Sequence, residues 1–243
     1  MKVVFYGDMA CRIAQSIPTF EGMEYQYLDD RTSMELVAQA CENTDVLVSM
    51  VFDNRFQASN LKLLQVPGIG LDKVNFSLLP KETCVAICRG HENAVAEYVL
   101  ATAIVMRRNL FGAANNFAAG SWYDSSRTGG PLQGDLGKDI VGVIGGGVIG
   151  RKVIEMFSCL NMTTLCCTRY PFPTLSKTIF FDRSQLLNML KISDIVVVAC
   201  ALDDSSYHII DDNALRTMRS STILINVARG ECVDDAALYK ACV

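Results

Sequence analysis

The sequence predicts an α/β protein made of two doubly wound parallel sheets. Two observations carry this. Short β-rich runs alternate with helical patterns along all 243 residues, and strand–helix–strand succession implies βαβ units on a parallel sheet. Several of the runs are continuously apolar, as strands covered on both faces must be.

In chain order, strands are expected at Lys2–Tyr6, Asp45–Met50, Cys84–Cys88, Ile140–Ile144, Thr163–Cys167, Asp194–Cys200 and Thr222–Val227. Helical spacing of apolar residues marks Ser33–Cys41 and Val148–Leu160, the latter through Ile149, Val153, Met156 and Leu160. A longer helix is expected to start at Asn93 as its N-cap and to hold Val95, Val99, Met106 and Leu110 on one face. The stretch Gly112–Gly137, rich in Gly, Ser and Asn, follows it. The domain boundary is expected there, giving domains 1–111 and 112–243.

Composition narrows the function classes. Half the residues are hydrophobic, a fifth are charged, and the net charge is -4 with no basic block. Nucleic acid and anionic membrane are therefore not expected partners. The start, Met1–Tyr6, runs at once into Gly7 and Asp8, so no apolar signal core develops. The apolar run Ala94–Met106 contains Glu97 and is too short to cross a bilayer. Ten scattered cysteines then read as reduced thiols of a cytoplasmic protein. With two histidines and no Cys-x-x-Cys pair, no metal site is expected.

The strongest chemical signal is Asp139-Ile-Val-Gly-Val-Ile-Gly145-Gly-Gly147-Val148-Ile149-Gly150, a strand, then Gly-x-Gly-x-x-Gly, then a helix. Gly145 permits the tight turn, Gly147 lets backbone approach a pyrophosphate, and Gly150 lets helix pack on strand. The N–H groups at the helix start and the helix dipole hold the phosphates. The second domain is thus expected to be a Rossmann dinucleotide-binding domain. The acidic residue that normally follows about 20 positions on and holds the adenosine ribose is missing. No Asp or Glu lies between Glu155 and Asp182, and the second strand ends at Thr168-Arg169-Tyr170-Pro171. A carboxylate there would repel a 2′-phosphate, whereas Thr168 and Arg169 can bind one. NADP is the preferred cofactor, NAD the alternative.

Five segments together resemble the D-isomer-specific 2-hydroxyacid dehydrogenases. Leu61-Lys-Leu-Leu-Gln-Val-Pro-Gly-Ile69-Gly70-Leu-Asp-Lys-Val-Asn75 looks like that family's substrate loop, and Asn93-Ala-Val-Ala-Glu97 like the start of its interdomain helix. Leu136–Gly145 resembles the lead into its cofactor turn; Ser193–Val198 and Leu224-Ile-Asn-Val227-Ala228-Arg229-Gly230 resemble two later strands. The matches span residues 45–243 in order. The resemblance implies hydride transfer between a nicotinamide and C2 of a small 2-hydroxy or 2-keto acid, such as glyoxylate or hydroxypyruvate. It implies that Arg229 clamps the substrate carboxylate and polarises the keto oxygen, and that the N–H groups of Ile69 and Gly70 meet that carboxylate. Val227, Ala228, Ala201 and Ser206 fall at cofactor contacts, the last two where the family carries Pro and Thr. A homodimer is implied, as is a flavodoxin-like first domain completed by a C-terminal return helix. His208 reads as a helix-start residue and His91 as a loop residue.

The family's proton donor is a histidine well beyond the arginine, tuned by an intervening glutamate. Here the chain stops at Val243, fourteen residues after Arg229, and no histidine follows. Glu231, Asp234 and Asp235 come too soon; Asp234 reads as an N-cap. The chain is therefore expected to be a fragment of an active enzyme, lacking the end of its Rossmann domain and impaired by itself. The alternative is a non-catalytic dinucleotide sensor or scaffold of the same fold.

Overall fold

The computed structural model of the chain describes residues 1–122, 136–174 and 177–243. These form two compact units, Met1–Gly90 and His91–Val243, each built on a five-stranded sheet.

The first unit contains β1 (Lys2–Tyr6), α1 (Asp8–Ala14), β2 (Glu24–Leu28), α2 (Met34–Cys41), β3 (Val46–Ser49), β4 (Leu63–Val66) and β5 (Cys84–Ile87). All pairings are parallel, in the order β2-β1-β3-β4-β5, the flavodoxin-like arrangement. Val4, Leu47 and Leu64, fully buried, form the sheet's contribution to the core, with Phe52 packed on it. Helix α2 starts where Ser33 accepts a hydrogen bond from the Leu36 amide. Strands β2 and β4 have no counterpart among the seven expected. The run Glu-Tyr-Gln-Tyr-Leu of β2 lies at the sheet edge and is only partly buried, so its apolar signal is weak.

The second unit contains α3 (Glu92–Arg107), α4 (Leu110–Ala118), β6 (Ile140–Ile144), α5 (Val148–Cys159), β7 (Thr163–Cys167), β8 (Ile179–Phe181), α6 (Leu186–Ile192), β9 (Ile195–Val198), α7 (Asp212–Thr217), β10 (Ile223–Asn226) and α8 (Asp235–Cys242). The sheet order is β10-β9-β6-β7-β8, all parallel. Counted within the unit this is the order 3-2-1-4-5 of the dinucleotide-binding sheet. Ile195, Val196, Val197 and Val198 are all fully buried, as expected of a strand covered on both faces. Asp234 caps α8 by accepting from the Ala236 and Ala237 amides.

Three expectations change here. The long helix starts two residues earlier, with His91 as its uncapped N-cap position, so Asn93 lies inside it. Its buried face is Ala96, Val99 and Ala103, while Met106 and Leu110 are exposed. Those small side chains let α3 sit closely in the core cluster of β6, α5 and β10. The helix therefore groups with the second unit, and the division falls at Gly90/His91 rather than at 111/112. Asn109 in left-handed backbone breaks the helical run before α4. Of the Gly112–Gly137 stretch, α4 occupies the start, and residues 123–135 lie outside the described residues.

Candidate functional site

The glycine turn forms at the carboxyl end of β6, the central strand of the second sheet. The neighbouring strands hold its start: the Gly145 amide donates to the Cys167 carbonyl of β7 (2.9 Å), and the Ala199 amide, just past β9, donates to Ile144 (2.8 Å). Gly145 has φ +108°, and a Cβ there would lie 2.7 Å from the Ala199 oxygen and from Cys200 backbone atoms. A Cβ on Gly150 would collide with the Gly145 carbonyl. Gly147 differs: its φ of -73° suits any residue, and nothing lies within 4 Å of a Cβ built on it. Two glycines are thus needed for the protein's own packing, while the third faces open space at the start of α5. No side chain caps that helix, and its first N–H groups have no intrahelical acceptor. This is the geometry a pyrophosphate requires.

A cleft of about 490 Å³ opens from this turn. Of the expected cofactor residues, Gly145, Gly147, Thr168, Arg169, Ala201 and Ser206 line it; Val148, Ile149, Gly150, Val227, Ala228 and Arg229 do not. Val148, Ile149 and Gly150 form the first turn of α5. Ser206 is buried, and its hydroxyl donates to the Ala201 carbonyl (2.7 Å) and accepts from the Asp203 amide (2.7 Å). The side chain thus holds its own loop, and the loop forms that wall of the cleft.

Arg169 reaches across the cleft mouth. Its Nη2 pairs with Asp203 Oδ2 (2.9 Å) and donates to Ser205 Oγ. The Ser205 hydroxyl and the Arg169 guanidinium hold the Asp203 carboxyl down at about 2. Among the lining residues that the sequence did not mark for this site are Arg151, Arg183, Cys200 and Asp203. Asp203-Asp-Ser-Ser206 carries the signature of a turn closed by an aspartate, and that signal was available. Cys200 has a thiol pushed up to about 12, by burial first and then by neighbouring Cys232. It is a wall of the cleft rather than a nucleophile.

Arg229 sits three residues past β10, at the same carboxyl edge as the glycine turn. Asn226 shapes this end by donating from Nδ2 to the Arg229 carbonyl (2.7 Å) and accepting from the Ala228 amide (3.0 Å). The half-buried Arg229 donates from Nη1 to the Ala228 carbonyl (3.0 Å). In the first unit, Ile69 and Gly70 follow β4. The Cys88 amide donates to Gly68 (3.0 Å), and Phe52 bridges Val74, which pins the loop. Neither the Ile69 nor the Gly70 N–H donates a hydrogen bond among the described residues.

Of the two histidines, His208 differs from expectation, whereas His91 lies in the loop as expected. His91 is the N-cap position of α3. His208 does not start a helix: it takes left-handed backbone (φ 48°) in a turn, stacks on Tyr207, and has Nδ1 3.8 Å from Asp234 Oδ2. Among the described residues no group of three or more His, Cys, Asp or Glu is placed to hold a metal ion. Nor is any described helix long and apolar enough to cross a membrane.

Comparison with known proteins agrees with this geometry. The family model described as D-isomer specific 2-hydroxyacid dehydrogenase, NAD binding domain, matches residues 100–243. A glyoxylate reductase of Thermococcus gammatolerans is 29% identical over 221 residues, which are 85% of this chain and 65% of that protein. The chain thus spans about two thirds of the length of such relatives. The D-lactate dehydrogenase of Aquifex aeolicus, solved with NAD and lactic acid, superposes with a TM-score of 0.79 at 19% identity, over 98% of this chain and 73% of that one. An acyclic imino acid reductase solved with NADPH and D-Arg gives 0.81 at 21% identity, over 99% and 78%. The chain therefore belongs to the D-isomer specific 2-hydroxyacid dehydrogenase family, and the part of it that holds the glycine turn matches that family's NAD binding domain.

Proposed function

We propose that the protein to which these residues belong is an NADP-preferring reductase of small 2-keto acids, glyoxylate and hydroxypyruvate being the substrates to try first. The observation that carries this reading is the pairing, on one sheet edge, of an open glycine turn after β6 with an arginine after β10. A nicotinamide bound at such a turn supplies or accepts the hydride. The chain's own residues do the rest. Arg229 offers a forked guanidinium to a carboxylate, which also polarises a neighbouring keto oxygen. The undonated N–H groups of Ile69 and Gly70 are neutral donors suited to the same kind of group. The relative named glyoxylate reductase fits this substrate class.

NADP is favoured over NAD because no carboxylate follows β7, where Thr168 and Arg169 stand instead. No proton-transfer group is assigned within residues 1–243, since no histidine follows Arg229. Turnover by these residues alone should then be slower by roughly two to four orders of magnitude than with such a group in place. We also infer a homodimer. Phe111, Phe117 and Trp122, on and just after α4, are each about two thirds exposed or more, an apolar patch that a second copy would cover.

The test is NADPH oxidation by the 243-residue chain with glyoxylate or hydroxypyruvate, beside NADH. Binding of NADPH with slow reduction of a keto acid supports the reading. Binding without reduction of any keto acid, even when the chain is extended by its family's missing segment, favours a dinucleotide sensor instead.

A further inference from the structure

Three guanidinium groups line the cofactor cleft: Arg151, Arg169 and Arg183. Two are already engaged. Arg151 Nε donates to the Gly146 carbonyl (2.9 Å), and its guanidinium lies 4.2 Å over the Phe172 ring. Arg169 is bound to Asp203 and Ser205. The Arg183 guanidinium has no hydrogen-bond or ion-pair partner among the described residues; only the backbone carbonyl is bonded, accepting from the Leu186 amide.

Its backbone is nonetheless fixed. Arg183 opens a short 3₁₀ turn, Arg183–Gln185, closed by a reciprocal cap between Asp182 and Gln185. That turn follows β8, whose last residue, Phe181, accepts the Thr168 amide (3.1 Å). Arg183 therefore stands two residues past the residue that accepts the Thr168 amide, in the turn that leaves the strand next to β7, and both residues line the cleft. The end of β7 is where a dinucleotide-binding sheet normally sets the acidic residue for the adenosine ribose. Arg183 lines the cleft together with Cys167, which ends β7, and Cys200, which follows β9, and so stands at the carboxyl edge of the sheet. A guanidinium with no partner among the described residues, in a cleft whose one carboxylate, Asp203, is already bound to Arg169, suits a doubly charged ligand group.

We propose that Arg183 is the residue that selects NADP over NAD, pairing with the 2′-phosphate while Arg169 stays bound to Asp203. This rests on the NADP reading above. Arg169 would have to give up a carboxylate and a hydroxyl to take the phosphate, whereas the Arg183 guanidinium has no partner among the described residues to give up.

The experiment is a fluorescence titration of the 243-residue chain with NADPH and with NADH, for wild type, Arg183→Gln, Arg183→Lys and Arg169→Gln. Loss of one charge-assisted contact should weaken NADPH about tenfold or more in Arg183→Gln. NADH affinity should stay within about twofold, which also reports an intact fold. Arg183→Lys should recover part of the loss. An equal loss for both cofactors overturns the proposal, because the contact would not be to the 2′-phosphate. If Arg169→Gln alone removes the preference, the proposal fails while the NADP reading stands. A wild type that does not prefer NADPH overturns both.

Discussion

Replacing Gly145 and Gly147 separately by Ala should divide stability from binding. At Gly145, φ is +108°, and the new methyl would lie 2.7 Å from the Ala199 oxygen and from Cys200 backbone atoms. Positive φ costs an L-residue roughly 1–2 kcal/mol. Overpacking against backbone, which cannot swing aside, adds about 1–3 kcal/mol. The sum, about 2–5 kcal/mol, corresponds to a melting temperature lower by roughly 4–20 °C at this chain length. At Gly147 a methyl meets nothing within 4 Å, and φ is -73°. Gly147→Ala should therefore melt with or slightly above wild type, by up to about 1 kcal/mol from the restricted unfolded chain. Its NADPH affinity should nevertheless fall about 10- to 100-fold, as the methyl fills the space for a phosphate held by charge-assisted hydrogen bonds. Thermal melts followed by circular dichroism and NADPH fluorescence titrations on both variants read the two effects. A Gly147→Ala chain that binds NADPH like wild type would refute the assignment of that space to the pyrophosphate. A Gly145→Ala chain with unchanged melting would refute the wedged turn.

Arg229→Lys should weaken binding of oxalate, a 2-keto acid analogue, to the NADPH-loaded chain by about tenfold or more, because an ammonium lacks the fork; isothermal titration reads this, and unchanged affinity removes Arg229 from the site. The Asp203 carboxyl, held at about 2 against its ordinary 3.8, should keep its bond to Arg169 at all pH above about 4 and lose it as pH falls through about 2. In Arg169→Gln its NMR titration midpoint should rise toward 3.8, though the Ser205 hydroxyl keeps it below; an unmoved midpoint would break the claimed pair. Phe117→Ser should shift sedimentation from twice 26.7 kDa to 26.7 kDa, and a wild type that is already monomeric rules out the dimer. Ellman's reagent should react quickly with Cys84, Cys88, Cys159 and Cys242, which are exposed, and slowly with buried Cys41, Cys166, Cys167 and Cys232; fast labelling of all eight would contradict the packing.

Most of the fold was legible because its central strands carry their burial in their composition. Ile195–Val198 and Val46–Ser49 read as strands since both faces are covered and both faces must be apolar. Edge position alone does not erase the signal, since Cys84–Ile87 and Ile223–Asn226 also lie at sheet edges and read as strands. Glu24–Leu28 gave no pattern because it mixes Glu, Tyr and Gln and is only partly buried, and Ile179–Phe181 is three residues long. The grouping of α3 was illegible for a related reason. Its buried stripe is Ala96, Val99 and Ala103, and alanine is as common on a helix surface as in a close helix contact. The larger Met106 and Leu110 drew the face in the wrong direction.

In the site, backbone requirements were legible and side-chain allegiances were not. A glycine motif states a local geometry, and the sequence can carry that by itself. The partner of an arginine depends on residues far along the chain: Asp203, which binds Arg169, is 34 positions away. Sequence could show that an acid was missing after β7 and that Arg169 stood near its place, yet not that another loop had already neutralised that arginine. Nor could it place Arg183 beside Thr168, because the strand joining them, β8, had no signal of its own. On the proposal made above, cofactor choice would be set by which cation lacks a partner among the described residues, not by which lies nearest the glycine motif in sequence. The same rule separates Arg183→Gln from Arg169→Gln: removing an arginine already bound to Asp203 mainly frees a carboxylate at the cleft mouth, whereas removing the unpaired one leaves a 2′-phosphate with no strong counter-charge.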